Sequence, residues 1–523
     1  MTSPAVIPGS IPVLSCAETA AFEKKFFSNP ANRETDFMAR AAKGIAAETE
    51  HLFAEIRRRP IESILVLVGK GHNAADALIA ARLLHDRCRA TVKILLAQPV
   101  DDMVPLAKEA LEKLTIVDAA FHVWDNSTDN SLNGPFDVLL DGLLGYNFRT
   151  PLRAPFAEII RWANHRADSF KLRIAVDLPS GLGDDTHPDD PVLQVDATVA
   201  CGLVKAPLLQ ENNISSRGRL RLACIGFPDT MAGNLCAGAQ GLFSLGPLRK
   251  LRPPFADKRH YGHLFILGGS RTMPGALLMN VRAALQAGVG LLTVFCPESV
   301  HAAFAAAVPA AMWVPWPETP GGGLALEGEH LLRERLPRAS ALLCGSGMGA
   351  EPETSALLQS IVGRAECPVI LDADALRNEI LDAAKSRKSI EPLILLPHAG
   401  EFARIAPTPE ASLRDTCRQL HATIALKGTP TRVADATREI VVCTGGPILA
   451  RGGSGDLLAG ITGALFARHL HNDPLQTLAT AVSWHGAAAD CTARQHGTES
   501  ISTTDILFGF GPALHTRSPC PDY

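Results

Sequence analysis

The sequence predicts a two-domain α/β protein built on parallel sheets. Three observations predict it. Short apolar runs alternate with helix-length segments, each run ends in a loop carrying Gly, Asp or Asn, and a turn-rich stretch divides the pattern in two. At 523 residues the chain is also longer than one ordinary core accommodates.

In the first half, Ile64-Leu-Val-Leu-Val68 reads as a buried strand. A turn at Gly69–Asn73 follows, then an apolar helix from about Asp76 to His85. Further strands are expected at Thr91–Leu96, Val138–Leu140 and Ile174–Val176, and Arg217–Phe227 reads as the last. Pro228, Gly233, Gly238, Pro247 and Pro253-Pro254 put the boundary near 228–250, with domains at 1–228 and 245–523 and a linker at 229–244. The second half opens with Leu264–Leu267 and Gly268-Gly-Ser270 and continues through Gly290–Phe295, Ala341–Cys344, Val369–Leu371, Leu393–Leu396 and Ile424–Leu426. Pro315–Gly323 reads as a loop within it, and no motif recurs at a fixed period.

Composition excludes several classes of partner. Net charge is −4, which leaves no footprint for nucleic acid or an anionic membrane. The 12 cysteines are scattered without a Cys-x-x-Cys pair, which argues against a zinc ribbon or disulfide scaffold and fits a reducing cytoplasm. No secretion signal is evident. The apolar stretch around Ala302–Trp316 is interrupted by Pro309 and Pro315 and is too short to span a bilayer. The expected protein is cytoplasmic and acts on small molecules.

The strongest chemical signal is Arg451-Gly-Gly-Ser-Gly-Asp456, ahead of an apolar helical run. Glycines bring backbone close to a ligand, and the first amides of a helix bind anions. Asp456 then stands where a carboxylate takes a proton from a hydroxyl facing that anion. Anion cradle plus base is equipment for phosphoryl transfer to an alcohol. Five other loops follow strands: Gly268-Gly-Ser270 with Pro274-Gly-Ala276, Gly345-Ser-Gly347-Met-Gly349, Asp372-Ala-Asp374, Pro397-His-Ala-Gly-Glu401, and Lys427-Gly428 with Thr431 nearby. Singly these are turns, caps or solvated charges. In a parallel sheet their ends share one edge and converge on one cleft.

Together with His260-Tyr-Gly-His263 and Trp484-His-Gly486, these motifs resemble, in order, the ADP/ATP-dependent NAD(P)H-hydrate dehydratase family over roughly residues 245–515. The resemblance implies a ribokinase-like domain. It phosphorylates the C6 hydroxyl of S-NADHX or S-NADPHX, hydrated forms of NADH and NADPH, and loss of phosphate restores the dinucleotide. Asp456 is then the base. Ala276, Gly347, His398 and Asp456 line the hydrate site, and Lys427, Gly428, Thr429, Pro430, Thr431, Gly453, Ser454 and Gly455 hold the nucleotide. Mg²⁺ is expected with the phosphates. Bacterial-type members favour ADP; the residues themselves leave ADP and ATP open. Arg451 replaces the usual Thr, leaving a guanidinium either to bind phosphate or to meet solvent.

In the first half, Gly69-Lys-Gly-His-Asn73-Ala-Ala-Asp76-Ala, Asp141-Gly-Leu-Leu-Gly145 and Asp177-Leu-Pro-Ser180-Gly resemble the NAD(P)H-hydrate epimerase domain, over roughly residues 10–228. That implies a Rossmann-like domain interconverting R and S hydrates. Asp177 is the acid/base candidate. His72, Asn73, Ala74, Ala75, Asp76, Gly145, Tyr146, Asn147, Phe148, Arg149, Thr150, Pro151 and Asp177 contact the hydrate, and Asn73, Asp141 and Ser180 supply oxygen to K⁺. Lys205 matches a family lysine with a lesser role. The family loop carries glycines where Ala74, Ala75 and Ala77 stand. Alanine obstructs the loop if those positions need positive φ or let phosphate sit against backbone, and is harmless in ordinary helical geometry. The family's early acidic residue falls at Ala39.

Four readings follow: the bifunctional repair enzyme, a dehydratase with a structural or regulatory front half, a ribokinase-like small-molecule kinase, and a nucleotide-binding scaffold. Asp456 opposes the last, because binding alone needs no base. A homo-oligomer is left open.

Overall fold

Alternate side chains of a strand point to opposite faces of its sheet. Ile64, Val66 and Val68 enter one hydrophobic cluster with Ala77 and Leu78 of the following helix. Leu65 and Leu67 enter another on the far face, with Ile159 and Ile160. The second half divides likewise, with Leu264 and Ile266 on one face and Phe265 and Leu267 on the other. A run apolar at every position is therefore covered on both sides, the usual setting of a parallel sheet.

The computed structural model describes residues 10–115, 119–125, 132, 134–187, 189–227, 239–242, 245, 248 and 252–515. The front sheet has seven strands. In spatial order they are Ala120–Val123, Thr91–Leu96, Ser63–Val68, Phe136–Gly142, Phe170–Val176, Ala197–Cys201 and Arg219–Ala223, all parallel. The rear sheet begins with seven parallel strands: Met312–Trp316, Leu291–Pro297, His263–Leu267, Ala341–Cys344, Val369–Leu371, Leu393–Leu395 and Ala422–Leu426. Thr431–Ala434 and Glu439–Val442 extend it antiparallel.

Beyond them the halves interlock. Glu439–Val442 pairs in parallel with Ala239–Leu242, which pairs antiparallel with Ser10–Leu14. Ser10–Leu14 in turn pairs with Val204–Lys205. The stretch expected as a linker, 229–244, thus contains a strand of the rear sheet; 229–238 and 243–244 lie outside the described residues. The seam is also ionic. Arg221 donates to Asp490 at 2.8 Å and to the Gly445 carbonyl at 3.1 Å. Arg219 donates to Asp490 at 3.1 Å and also binds Glu55.

The helix expected from Asp76 begins earlier, at His72, with Gly71 extended as its N-cap. Ala74, Ala75 and Ala77 lie within it, and none has positive φ. Alanine is therefore the favourable residue there, and Ala77→Gly is expected to lower stability by about 1 kcal/mol in urea denaturation. Among the described residues, no helix is long and apolar enough to cross a membrane. Nine described cysteines are free thiols. Cys224, outside the expectation from cysteine spacing, is disulfide-bonded.

Candidate functional site

The carboxyl ends of the front strands open on a cavity of about 660 Å³, of a size that suits a small molecule. Its lining includes His72, Asn73, Ala74 and Asp76 from one helix start, Gly145, Tyr146, Asn147, Phe148, Arg149, Thr150 and Pro151 from one loop, and Asp177. Ala75, also expected at the hydrate, is fully buried in the core cluster and is absent from that lining.

Asp177 follows the strand Phe170–Val176 with φ of 68°, a left-handed conformation rare outside glycine and found at functional sites. Its Oδ1 accepts from the Cys201 amide at 2.9 Å and from buried Lys205 Nζ. Lys205 also donates to the carbonyls of Cys201 and Leu203. Burial works against the lysine's charge, but Asp177 and Glu23 outweigh it and lift its pKa. The Tyr146 hydroxyl donates to Glu23, whose carboxyl burial pushes up. Glu34 pairs with His72 at 3.1 Å.

Asn73, Asp141 and Ser180 come together through Leu144. Asn73 Nδ2 donates to the Leu144 carbonyl at 2.9 Å, and the Leu144 amide donates to Ser180 Oγ at 2.9 Å. Ser180 donates to Asp141 through Oγ at 2.6 Å and through its amide at 2.8 Å. Asp141 is fully buried, and burial pushes its carboxyl up to about 6 despite these donors. A buried carboxylate held by neutral donors, beside hydroxyl and amide oxygens, fits a hard cation.

The rear loops converge as parallel strands require. Gly453 has φ of 89° and caps the helix Ser454–Ala467. A methyl group there would lie 2.4 Å from Met279 Cε, so both conformation and space demand glycine. Ser454, Gly455 and Asp456 are thus the helix's first turn. The Ser454 amide is taken by the Arg451 carbonyl at 3.3 Å, leaving the cradle to Gly455 and Asp456. Burial first, and the Asp372 carboxylate second, push Asp456 up to about 6. Asn280 donates to the Asp456 carbonyl at 2.7 Å.

Lys427 Nζ lies 2.9 Å from Asp372 Oδ1, and a Cβ at Gly455 would stand 3.3 Å from that ammonium. Gly347 has φ of 68° and comes close to Ala276: a methyl group on it would sit 3.0 Å from Ala276 Cβ. His398 is exposed, and its Nδ1 accepts from the Gly400 and Glu401 amides, capping a helix. Thr431 Oγ1 donates to the Gly428 carbonyl at 3.2 Å. Thr429 and Pro430 share a cis peptide bond, and the Thr429 carbonyl accepts from Arg217 of the front domain at 3.0 Å. A Cβ on Gly275, Gly349 or Gly452 would meet nothing within 4 Å, so this backbone is open to a ligand. Among the described residues, no group of three or more His, Cys, Asp or Glu side chains is placed to hold a metal.

The Arg451 guanidinium donates to the Thr498 carbonyl. Sequence reading did not single out Glu23 or Asn280, and it gave Lys205, here paired with Asp177, a lesser role. Asp372, placed by sequence among the converging loops without a role, meets Lys427, which follows the strand two places along the same edge. His485 is buried, and burial, then Lys427, push its imidazole down to about 4.

A family model described as NAD(P)H-hydrate dehydratase matches residues 264–508. One described as YjeF-related protein N-terminus matches residues 34–206. The chain is 32% identical over 463 residues to the bifunctional NAD(P)H-hydrate repair enzyme of Moorella thermoacetica, covering 85% of this chain and 86% of that one. It is 30% identical over 526 residues to the protein of the same name from Salinibacter ruber, covering 95% of each. Among solved structures, ADP/ATP-dependent NAD(P)H-hydrate dehydratase from Bacillus subtilis, co-crystallized with ATP/Mg²⁺, is 26% identical with a TM-score of 0.43, over 51% of this chain and 93% of that one.

Proposed function

The chain belongs to the bifunctional NAD(P)H-hydrate repair enzymes, and we propose that it returns both epimers of hydrated NADH and NADPH to use. The front domain, residues 1–228, interconverts R and S hydrates. The rear domain, residues 245–523, moves a phosphoryl group from ADP or ATP to the C6 hydroxyl of the S hydrate. Phosphate is a far better leaving group than hydroxide, and its departure restores the dihydronicotinamide.

One observation carries the reading. Asp456 stands in the first turn of a helix whose leading amides are open, with its carboxyl pushed up to about 6 and the Lys427–Asp372 pair beside that turn. A base tuned toward neutrality next to an anion cradle is what phosphorylation of an alcohol requires. Lys427 and Gly428–Thr431 hold the nucleotide, and Ala276, Gly347 and His398 line the hydrate site. Mg²⁺ would accompany the nucleotide's phosphates and offset their charge. In the front domain, Asn73, Asp141 and Ser180 would hold K⁺ through oxygen, next to the turn that carries Asp177. The free buried thiols suit a reducing cytoplasm. An active front half is supported by the alanines at 74, 75 and 77, which are ordinary helical residues.

The test is recovery of dihydronicotinamide absorbance from an R/S mixture of hydrated NADH with ADP or ATP. Complete recovery is expected. Recovery of the S portion alone defeats the front-domain reading, and no recovery defeats the rear one. Asp177→Asn is expected to slow use of the R portion by about 100-fold and leave the S portion unchanged. Equal loss on both epimers would contradict two independent sites.

A further inference from the structure

Asp76 lies on the second turn of the helix His72–Cys88 and lines the front cavity with Asp177. Part of its surface is open, yet its Oδ1 is buried without a hydrogen-bond partner. A carboxyl oxygen sealed from water without a donor is costly when ionised, whereas the protonated group donates for itself. The neighbouring charges act the same way. Burial comes first, then the carboxylates of Asp177, Glu23 and Glu34; Lys205 alone opposes them, and the carboxyl stays well above its ordinary pKa. Lys205 is committed to Asp177, and His72 is paired with Glu34. Of the four carboxyls that line the cavity, Asp177 has Lys205, Glu34 has His72 and Glu23 has the Tyr146 hydroxyl, whereas Asp76 Oδ1 has no partner; Lys70, Arg149 and Arg153 also face the cavity.

We propose that Asp76 is the acid and Asp177 the base of a pair that opens and recloses the hydrated nicotinamide ring. This rests on reading the front domain as an epimerase. C6 of the hydrate carries both a hydroxyl and N1, so it is a masked aldehyde. Asp177 takes the hydroxyl proton and the oxygen forms C6=O. The C6–N1 bond breaks with its electron pair on N1, which is conjugated through C2=C3 to the carboxamide, and N1 takes the Asp76 proton. Rotation about C5–C6 turns the other face of the aldehyde to N1. On reclosure N1 bonds to C6, the carbonyl π pair returns to oxygen, the oxygen regains its proton from Asp177, and N1 returns its proton to Asp76. Nothing is oxidised or consumed, and both residues end as they began.

The test follows the R to S ratio chromatographically, on the full chain without nucleotide, so that the rear site plays no part. The wild-type rate is expected to fall as pH rises through the pKa of Asp76, because the working form is protonated. Asp76→Asn is expected to slow epimerisation at least about tenfold and to lose that alkaline fall. Its urea midpoint is expected to hold or rise, because a carboxyl that the folded state must keep protonated is removed; a lower midpoint would mean a structural role and overturn the proposal. If wild type epimerises and Asp76→Asn keeps its rate or its pH profile, the proposal alone fails. If wild type does not epimerise, the epimerase reading fails first and takes the proposal with it.

Discussion

Asp456→Asn is expected to cut recovery from the S hydrate by about 10²- to 10⁴-fold, the usual contribution of a general base, with nucleotide affinity nearly unchanged. Asn keeps the volume and the hydrogen-bonding edges of Asp, so the helix start, the Gly453 turn and the Lys427–Asp372 pair stay in place. What is lost is the ability to take a proton. The sign of the pH dependence follows from the raised carboxyl. The working form is the carboxylate, so wild-type kcat/KM is expected to fall as pH drops through about 6. That acid limb should vanish in Asp456→Asn. The same raised pKa means that ionising Asp456 costs the folded state stability as pH rises from its unfolded value near 4 toward 6. The variant should therefore be no less stable than wild type at pH 8. Near-normal turnover in a folded variant would remove Asp456 from the role of base.

How much of this was legible before the fold was known depended on sequence distance. Thr91–Leu96, Ala341–Cys344 and Val369–Leu371 form as their apolar runs predict, because strand identity there is set by local burial on both faces. The site loops were legible for the same reason: a parallel sheet puts the residues after each strand on one edge, whatever the strand order. The start of the helix at His72 was not, because Gly71-His-Asn73 reads as a turn until the following alanines are seen to carry helix back to it. Glu23 was invisible as a cavity residue because it lies on a helix ahead of the first front strand, where a charge reads as a solvated face. Ser10–Leu14 pairs with Ala239–Leu242, and neither strand has a local signal that names its partner. Ion pairs across the domains were hidden in the same way, and they carry the second large effect.

Asp490→Ala is expected to lower unfolding stability by about 3–5 kcal/mol, the typical result of leaving buried charge unpaired. Asp490 is buried in the helix Pro474–His496. Its Oδ1 accepts from Arg219 and Arg221, and its Oδ2 from the Gly445 amide at 3.0 Å. Burial works to raise its carboxyl, but Arg221 and then Arg219 outweigh it and hold the pKa below the usual range. Removing Asp490 leaves two guanidinium groups of a front strand in a dry seam. Glu55 remains for Arg219, and Glu48, 3.6 Å from Arg221, remains for the other; these place the loss toward the lower end of that range. Stability from Asp490 is present above its unfolded pKa and is lost as pH falls through the lower folded value, so the seam should loosen only in strong acid. The readout is the urea midpoint, with R- and S-hydrate turnover per folded molecule as control. Both turnovers should persist below the new transition, because Asp490 is not among the residues assigned to either site. A midpoint shift worth less than about 1 kcal/mol would put the pair among solvated ion pairs and would remove this cluster as a clamp between the domains.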